Sequence, residues 1–437
     1  MTQTTQVKRG NYLLPIIITF ALFFMIAFVT GYQNPLGSII KEISGGSTAW
    51  TQLGNLMNFI AYAFMGYPAG LILQKYGYRM TALLASIVGF VGVLLTFISG
   101  TMDASQSSTA VLTVYMLGAF VAGFSMCMLN SVVNPLMNSM GSTPDRGNQM
   151  LQFGGAFNSL GATLAPIVVG YIIGGQATAI AEVNPVFFMC MGIFALAIVV
   201  LYFSKLPEAP DFGQAKEKID AKGAFRYSNF VLGIIAIFCY VGVEVGIANI
   251  TMQYISNEAI PMQNGVAVAQ PETVAGFIVG MYWLLMLVGR LLGGVLGTKM
   301  SSRTMLTSVC VIAMCFVGAA ILMSPEMTAS IVGISKDGGL SFEVFDVRLS
   351  VLMLVLCGLC TSVMWGAIFS LSVVGLGRYT QVASGIFMVM VCGGGILPMV
   401  QGMLVDSMGY LNSFWLVFGL IGYMLFYALV GSRTKKA

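Results

Sequence analysis

The chain has 437 residues, of which 57% are hydrophobic and only 8% are charged. So little charge cannot cover the surface of a water-soluble protein of this size, which excludes a soluble enzyme and a nucleic-acid-binding domain. The net charge is only +4, and the absence of histidine excludes imidazole ligands and imidazole proton relays.

Apolar runs of about 20 residues, enough for a helix that crosses a membrane, recur along the whole chain. Their approximate ranges are 12–36, 51–74, 80–99, 109–138, 147–174, 185–204, 229–255, 272–297, 304–323, 347–374, 382–405 and 411–431. A segment with nine charges in 22 residues, Lys205 to Arg226, separates the sixth run from the seventh. We therefore predict an all-α membrane protein with twelve transmembrane helices in two pseudo-symmetric six-helix bundles, at 1–204 and 228–437, joined by a cytoplasmic linker at 205–227.

Lys and Arg residues are distributed very unevenly between the two sides of this predicted bundle. If the N-terminus lies inside, 17 of the 20 Lys and Arg residues fall in inner segments, and only Lys41, Lys336 and Arg348 fall outside. By the positive-inside rule, both termini and the linker are predicted to be cytoplasmic.

The two halves repeat short patterns at equivalent places. The series Gly70, Lys75, Arg79 recurs 224 residues later, and the series Gly161, Pro166, Gly170 recurs 232 residues later as Gly393, Pro398, Gly402. Two such matches indicate duplicated halves, and transporters of this build hold their substrate between the halves near the membrane midplane.

The loop after the second run resembles the signature of the major facilitator superfamily. Gly70, Leu71, Gly77 and Arg79 fit that signature, Lys75 replaces an arginine, and an amide (residue 74) stands where an aspartate is usual. The resemblance implies that this loop latches the cytoplasmic gate, more weakly without the aspartate. The predicted gating residues are Lys75, Arg79 and Arg290, the last near the cytoplasmic end of the eighth run.

Further strings resemble the fucose–galactose–proton symporter branch of that superfamily. They include Phe157 to Gly161, Phe238 to Gly246, Tyr282 with Trp283, and Gly393 to Gly395. Two acids of the branch are replaced by amides here, one in the triplet Tyr32-Gln33-Asn34 and the other at Asn130 before Asn134-Pro135. The resemblance implies sugar transport in a bacterial inner (plasma) membrane, but proton coupling cannot be carried over at those two positions.

One acid, Glu244, lies deep in a predicted span, about halfway through the seventh run. An ionised carboxylate in hydrocarbon costs about 3 kcal/mol on insertion scales, so it should face a cavity or a partner. We predict that Glu244 binds substrate hydroxyls and carries the coupled proton. The alternative is a structural hydrogen bond to a neighbouring helix.

Amides and aromatic residues complete the predicted site, because amides suit the hydroxyls of a neutral sugar and aromatic rings stack on its C–H faces. The alternatives are hydrogen bonds between helices and ordinary packing. The predicted substrate-binding residues are Gln33, Asn34, Asn130, Asn134, Gln152, Tyr240, Glu244, Asn249, Trp283 and Trp365.

No nucleotide-binding loop, metal cluster or activated nucleophile is present, so we expect no enzyme, cofactor or metal site. Cys357 and Cys360 form a Cys-x-x-Cys, but all eight cysteines fall in apolar runs and are predicted to pack helices. The sequence therefore favours a monomeric importer of a neutral monosaccharide (a hexose, a 6-deoxyhexose or an N-acetylated amino sugar) coupled to protons through Glu244. A uniporter, a sodium-coupled symporter, a drug exporter and a receptor on a transporter scaffold remain alternatives.

Overall fold

The computed structural model describes residues 13–102, 104–140, 144–173, 179–208, 221–296, 300–335, 341–376 and 379–433. Thirteen helices run through these residues: α1 Leu13–Gly31, α2 Gln33–Ile43, α3 Leu53–Thr101, α4 Ala104–Ser139, α5 Pro144–Ile173, α6 Asn184–Phe203, α7 Ser228–Asn257, α8 Pro271–Leu296, α9 Ser302–Leu322, α10 Leu349–Val373, α11 Thr380–Met390, α12 Gly393–Met408 and α13 Tyr410–Phe426.

Eleven helical segments of the described chain are long and apolar enough to cross a membrane. In two of them a short break divides the segment, at Tyr32 between α1 and α2 and at 391–392 between α11 and α12. The 49 residues of α3 would extend roughly 75 Å if straight, far beyond a bilayer core of about 30 Å. Gly77 breaks α3 with a φ of 74°, so its two arms correspond to the second and third predicted spans. Counted separately, the arms are compatible with the predicted twelve crossings.

A small antiparallel sheet accompanies the helices and was not predicted from the sequence. Its strands are β1 Met262–Gln263, β2 Val266–Ala267, β3 Thr328–Ser335 and β4 Ser341–Arg348, in the order β2-β1-β4-β3. One face of the sheet packs inward through Phe345 and Val347, each only 1% exposed. We call this end of the bundle the sheet end and the opposite end, where α6 and α7 are joined, the linker end.

Helices α1–α6, the N-terminal group, and α7–α13, the C-terminal group, meet along α5 with α8 and along α3 with α11 and α12. Small residues allow this close approach. A Cβ on Gly170 would lie 2.8 Å from the backbone oxygen of Glu272, and one on Gly402 would lie 2.8 Å from the Cα of Ala49. Both glycines therefore pack directly against the other group.

The repeated glycines have equivalent neighbours in the two groups. Gly161 of α5 packs on the backbone of α1 at Phe24, and Gly393 of α12 packs on the backbone of α7 at Phe238. Because α1 and α7 each begin a group, the pattern at an offset of 232 reflects the pseudo-symmetry of the fold.

Candidate functional site

An acid–base pair lies inside the bundle where the two groups meet. The Nη2 atom of Arg290 on α8 lies 3.7 Å from Oε1 of Glu244 on α7, and the two side chains are 16% and 14% exposed. The Nη1 atom of Arg290 donates to the backbone oxygen of Gly155 on α5, at 2.7 Å. The guanidinium therefore contacts a carboxylate of its own group and the backbone of the other group.

Aromatic side chains surround this pair. The ring of Tyr240, one turn before Glu244, meets Trp365 of α10 edge to face with centroids 6.1 Å apart. Tyr282 and Trp283 of α8 meet in the same manner at 5.2 Å. Tyr240, Glu244 and Trp365 are thus brought together on α7 and α10, and Arg290, predicted as a gating residue, joins them. The described contact of Trp283 is with its neighbour Tyr282.

Tyr282 and Thr361 fix the neighbouring backbone and were not singled out as ligands from the sequence. The Tyr282 hydroxyl donates to the backbone oxygen of Glu244 at 3.1 Å and lies 3.1 Å from Oγ1 of Thr361. A tyrosine within an apolar run does not by itself indicate a hydrogen bond to a distant backbone. Tyr282 entered the sequence analysis only through its resemblance string with Trp283.

The amides of α4 are partly exposed and use their nitrogens within the protein. Nδ2 of Asn130 donates to the Tyr62 hydroxyl at 3.0 Å and to the backbone oxygen of Met126 at 3.1 Å. Nδ2 of Asn134 donates to the backbone oxygen of Asn130 at 2.8 Å. Tyr62, which the sequence did not single out, therefore belongs to this part of the site.

Gln33 lies in the buried interior of the N-terminal group, with only 3% of its surface exposed. Its Oε1 accepts from the hydroxyl of Tyr115, at 3.1 Å. This is the hydrogen bond between helices that the alternative interpretation expects. The side chains of Asn34 and Gln152 lie outside the described part of the structure.

Asn249 lies away from the acid–base pair, at a junction of the two groups near the sheet end. Its Nδ2 donates to Oε1 of Gln52, at 2.9 Å. Asp406 completes this junction, because its carboxylate accepts from the Ser47 hydroxyl at 2.6 Å and from the Thr48 backbone N–H at 2.7 Å. We call these five residues the sheet-end junction.

The predicted gating residues Lys75 and Arg79 lie at the linker end, near the break in α3. Lys75 is exposed, and its Nζ lies 5.1 Å from the ring centroid of Tyr76. Arg79 donates to the backbone oxygens of Leu201, at 3.0 Å, and Tyr202, at the end of α6. These bonds of Arg79 lie within the N-terminal group.

The central site carries groups that can bind a polar molecule and exchange a proton. In the described part of the chain, no group of three or more His, Cys, Asp or Glu residues could hold a metal ion. The site presents one carboxylate, one guanidinium, aromatic rings and amide groups near the contact between two pseudo-symmetric groups. Such an arrangement can hold a polar molecule alternately from the two sides of a membrane.

Comparison with known families agrees with this description. The model of the Major Facilitator Superfamily matches residues 16–399. The chain therefore belongs to the Major Facilitator Superfamily of membrane transporters, and is not an enzyme.

Two curated relatives match nearly the full chain. The glucose/galactose transporter of Brucella abortus biovar 1 (strain 9-941) is 28% identical over 440 residues, which cover 99% of this chain and 97% of the relative. The L-fucose-proton symporter of Escherichia coli (strain K12) is 22% identical, over 92% of this chain and 89% of the relative.

Solved structures share the fold. The transporter FucP in its outward conformation aligns with a TM-score of 0.67 at 18% identity, covering 97% of this chain and 100% of that one. A D-xylose-proton symporter aligns with a TM-score of 0.68 at 10% identity, covering 96% and 97% of the two chains. The predicted fold class is therefore confirmed.

Proposed function

We propose that this protein imports a neutral monosaccharide across a bacterial inner membrane by alternating access. The observation that carries the proposal is the pair of Glu244 and Arg290, which lies beside Tyr240 and Trp365 where the two groups meet. Full-length similarity to a glucose/galactose transporter and an L-fucose-proton symporter supports a sugar as the substrate class.

We propose that Glu244 couples transport to protons. In the ionised state its charge is balanced by Arg290, which also bonds to Gly155 of the other group. Protonation of Glu244 removes that balance, so the state of the carboxylate changes the interaction that holds α8 against α5. A proton and a conformational change are linked in this way through one guanidinium.

The proposed organisation follows the charge distribution. We place residues 1–204 and 228–437 as two rocking bundles, with the linker at 205–227 and both termini in the cytoplasm. Since one chain supplies both groups and all residues of the site, a monomer in the lipid bilayer is sufficient for transport.

The proposal is tested with purified protein in liposomes, using labelled D-glucose, D-galactose and L-fucose with and without an inward proton gradient. We expect uptake of at least one of these sugars, with accumulation only when the proton gradient is present. Uptake without accumulation would show that the protein is a uniporter. Accumulation driven by sodium alone would show that sodium, and not the proton, is the coupled ion. Failure of every sugar, in protein that folds normally, would overturn the proposed function.

A further inference from the structure

The amide group of Asn130 has a fixed orientation. A backbone carbonyl only accepts hydrogen bonds, so the bond to Met126 identifies the amide atom that faces it as the nitrogen. The second hydrogen of that nitrogen goes to the Tyr62 hydroxyl. Both donor hydrogens of Asn130 are thereby used inside the protein, and a ligand can meet only its oxygen.

That oxygen is available. Among the residues that the structure describes, no group donates to Oδ1 of Asn130, and the side chain is partly exposed. The next residue, Ser131, has a backbone oxygen without its usual helical donor, because Pro135 has no N–H. This part of α4 is therefore rich in acceptors.

The same residues border the contact between the two groups. The ring of Tyr62 stacks on Phe59, with centroids 5.9 Å apart and planes inclined by 21°. Phe59 in turn lies against Gly394 of α12, where a Cβ would come within 3.0 Å of its ring. One turn earlier on α3, Asn55 donates to the backbone oxygen of Gly394 at 2.7 Å. Tyr62 and Asn130 thus lie close to the contact between the two groups.

We propose that Tyr62 is a positioning residue, which holds the amide of Asn130 so that only its oxygen can meet a ligand. Asn130 then recognises a sugar hydroxyl by accepting a hydrogen bond from it. The inference rests on the proposed function of sugar transport. Asn134 offers a contrast on the same helix, because its nitrogen makes one described hydrogen bond, to the backbone oxygen of Asn130, and keeps a second hydrogen. The two amides therefore differ in what they can offer a ligand.

Analogues of the best-transported sugar of the panel provide the test. Each hydroxyl is replaced in turn by fluorine, which cannot donate a hydrogen bond, or by hydrogen, and binding is measured by competition. One sugar hydroxyl should donate to Oδ1 of Asn130. At that position the fluoro and the deoxy analogue should each bind about tenfold more weakly than the parent sugar, and the two losses should be equal. In Asn130→Ala this penalty should disappear at that position alone. In Asn130→Asp, which keeps an acceptor, the equal penalties should remain.

Tyr62→Phe separates positioning from a merely structural role. The change frees one hydrogen of Asn130, so at the same position the fluoro analogue should now bind better than the deoxy analogue. The control is Tyr67→Phe, on the same arm of α3, where the side chain is 72% exposed and should leave all ratios unchanged.

Several results would overturn the inference. One is a fluoro analogue that binds as well as the parent sugar at every position of wild type. Another is a Tyr62→Phe variant in which parent and both analogues weaken by the same factor. Both results require wild type to transport the parent sugar, which distinguishes them from failure of the proposed function. If wild type takes up no sugar at all, the proposed function fails and this inference fails with it.

Discussion

At the scale of single residues, the central feature is a charge that the membrane interior would not tolerate alone. Glu244 and Arg290 are each largely buried, and removal of one partner from such a pair leaves an uncompensated charge. The pair therefore stabilises the fold only as a unit. Its position between the groups is what makes a change of protonation relevant to movement.

Glu244→Gln keeps the shape of the side chain but fixes the site as neutral. We expect this variant to lose proton-driven accumulation and to keep counterflow, the exchange of labelled for unlabelled sugar, because exchange requires no net proton movement. Both are measured in liposomes. Glu326→Gln, at an exposed turn, is the matched control and should behave as wild type. Full accumulation by Glu244→Gln would place the coupling group elsewhere.

At the scale of elements, the sheet-end junction ties α12 of one group to the start of α3 in the other. The carboxylate of Asp406 accepts hydrogen bonds from Ser47, Thr48 and the Ala49 backbone N–H, at the beginning of a short helical turn, Ala49–Gln52. Free N–H groups at a helix start favour an acceptor with negative charge. This contact favours the state in which the sheet end is closed.

We predict that Asp406→Asn loosens this end. Loss of such a cap costs about 1 kcal/mol, which corresponds to about a fivefold shift between closed and open states. The measurement is the rate at which a thiol reagent modifies Leu53→Cys, a position that is 5% exposed. Glu182→Gln is the control, because Glu182 caps a helical turn within the N-terminal group alone. An unchanged rate for Asp406→Asn would show that the cap does not hold this end closed.

The glycine contacts between groups lead to a second prediction for the elements. Gly402→Ala places a Cβ 2.8 Å from the backbone of Ala49, so the sheet end cannot close without a shift. Overpacking of this kind costs about 1–3 kcal/mol. We expect faster modification of Leu53→Cys and slower sugar uptake. Gly419→Ala has nothing within 4 Å of the added Cβ and should change neither. Equal behaviour of the two variants would contradict the role of Gly402.

At the scale of the whole molecule, hydrogen bonds between the groups concentrate at the sheet end. Lys41 donates to Asn257 at 3.0 Å, and Gln52 accepts from Asn249 at 2.9 Å, in addition to the bonds of Asp406. Asn249 is therefore engaged in closing this end of the bundle. In the proposed transport cycle these bonds break and reform, so each of them contributes to the balance between the two states.

Membrane orientation is tested by labelling intact cells with an impermeant thiol reagent. We expect Val266→Cys, at the sheet end and 69% exposed in wild type, to react from outside. Lys205→Cys, at the linker end, should react only after the membrane is made permeable. Labelling of the native cysteines gives the background signal, which is measured in protein that carries neither substitution. Labelling of Lys205→Cys in intact cells would reverse the orientation.

The positions of the helices could be predicted from the sequence because span length and apolar composition are local properties. The break between the second and third spans at Gly77, the family and the pairing of repeated glycines were also accessible, since each is carried by short strings. The small sheet was not predicted: its strands lie in the connections between spans, and the pairing of β1 with β4 joins segments that are far apart in the chain.

The site was only partly accessible from the sequence. A deep acid, amides and aromatic residues can be recognised from their positions within apolar runs, and the structure brings Tyr240, Glu244 and Trp365 together. Which of them meet a partner depends on how helices far apart in the chain are rotated and packed. Arg290 was predicted as a gating residue, and the structure sets it against Glu244, 46 positions earlier in the chain, and against Gly155 of the other group.

Composition, charge pattern and repeated strings were therefore sufficient to predict helical spans, their duplication and the residue types available for binding a polar substrate. Only the packed structure shows that Gln33 accepts a hydrogen bond from Tyr115 and that Asn249 donates one to Gln52. It also shows that Asn130 uses both hydrogens of its nitrogen within the protein. The physical reason is that an amide can donate and accept. Only the atoms packed around it decide which of these abilities remains for a ligand.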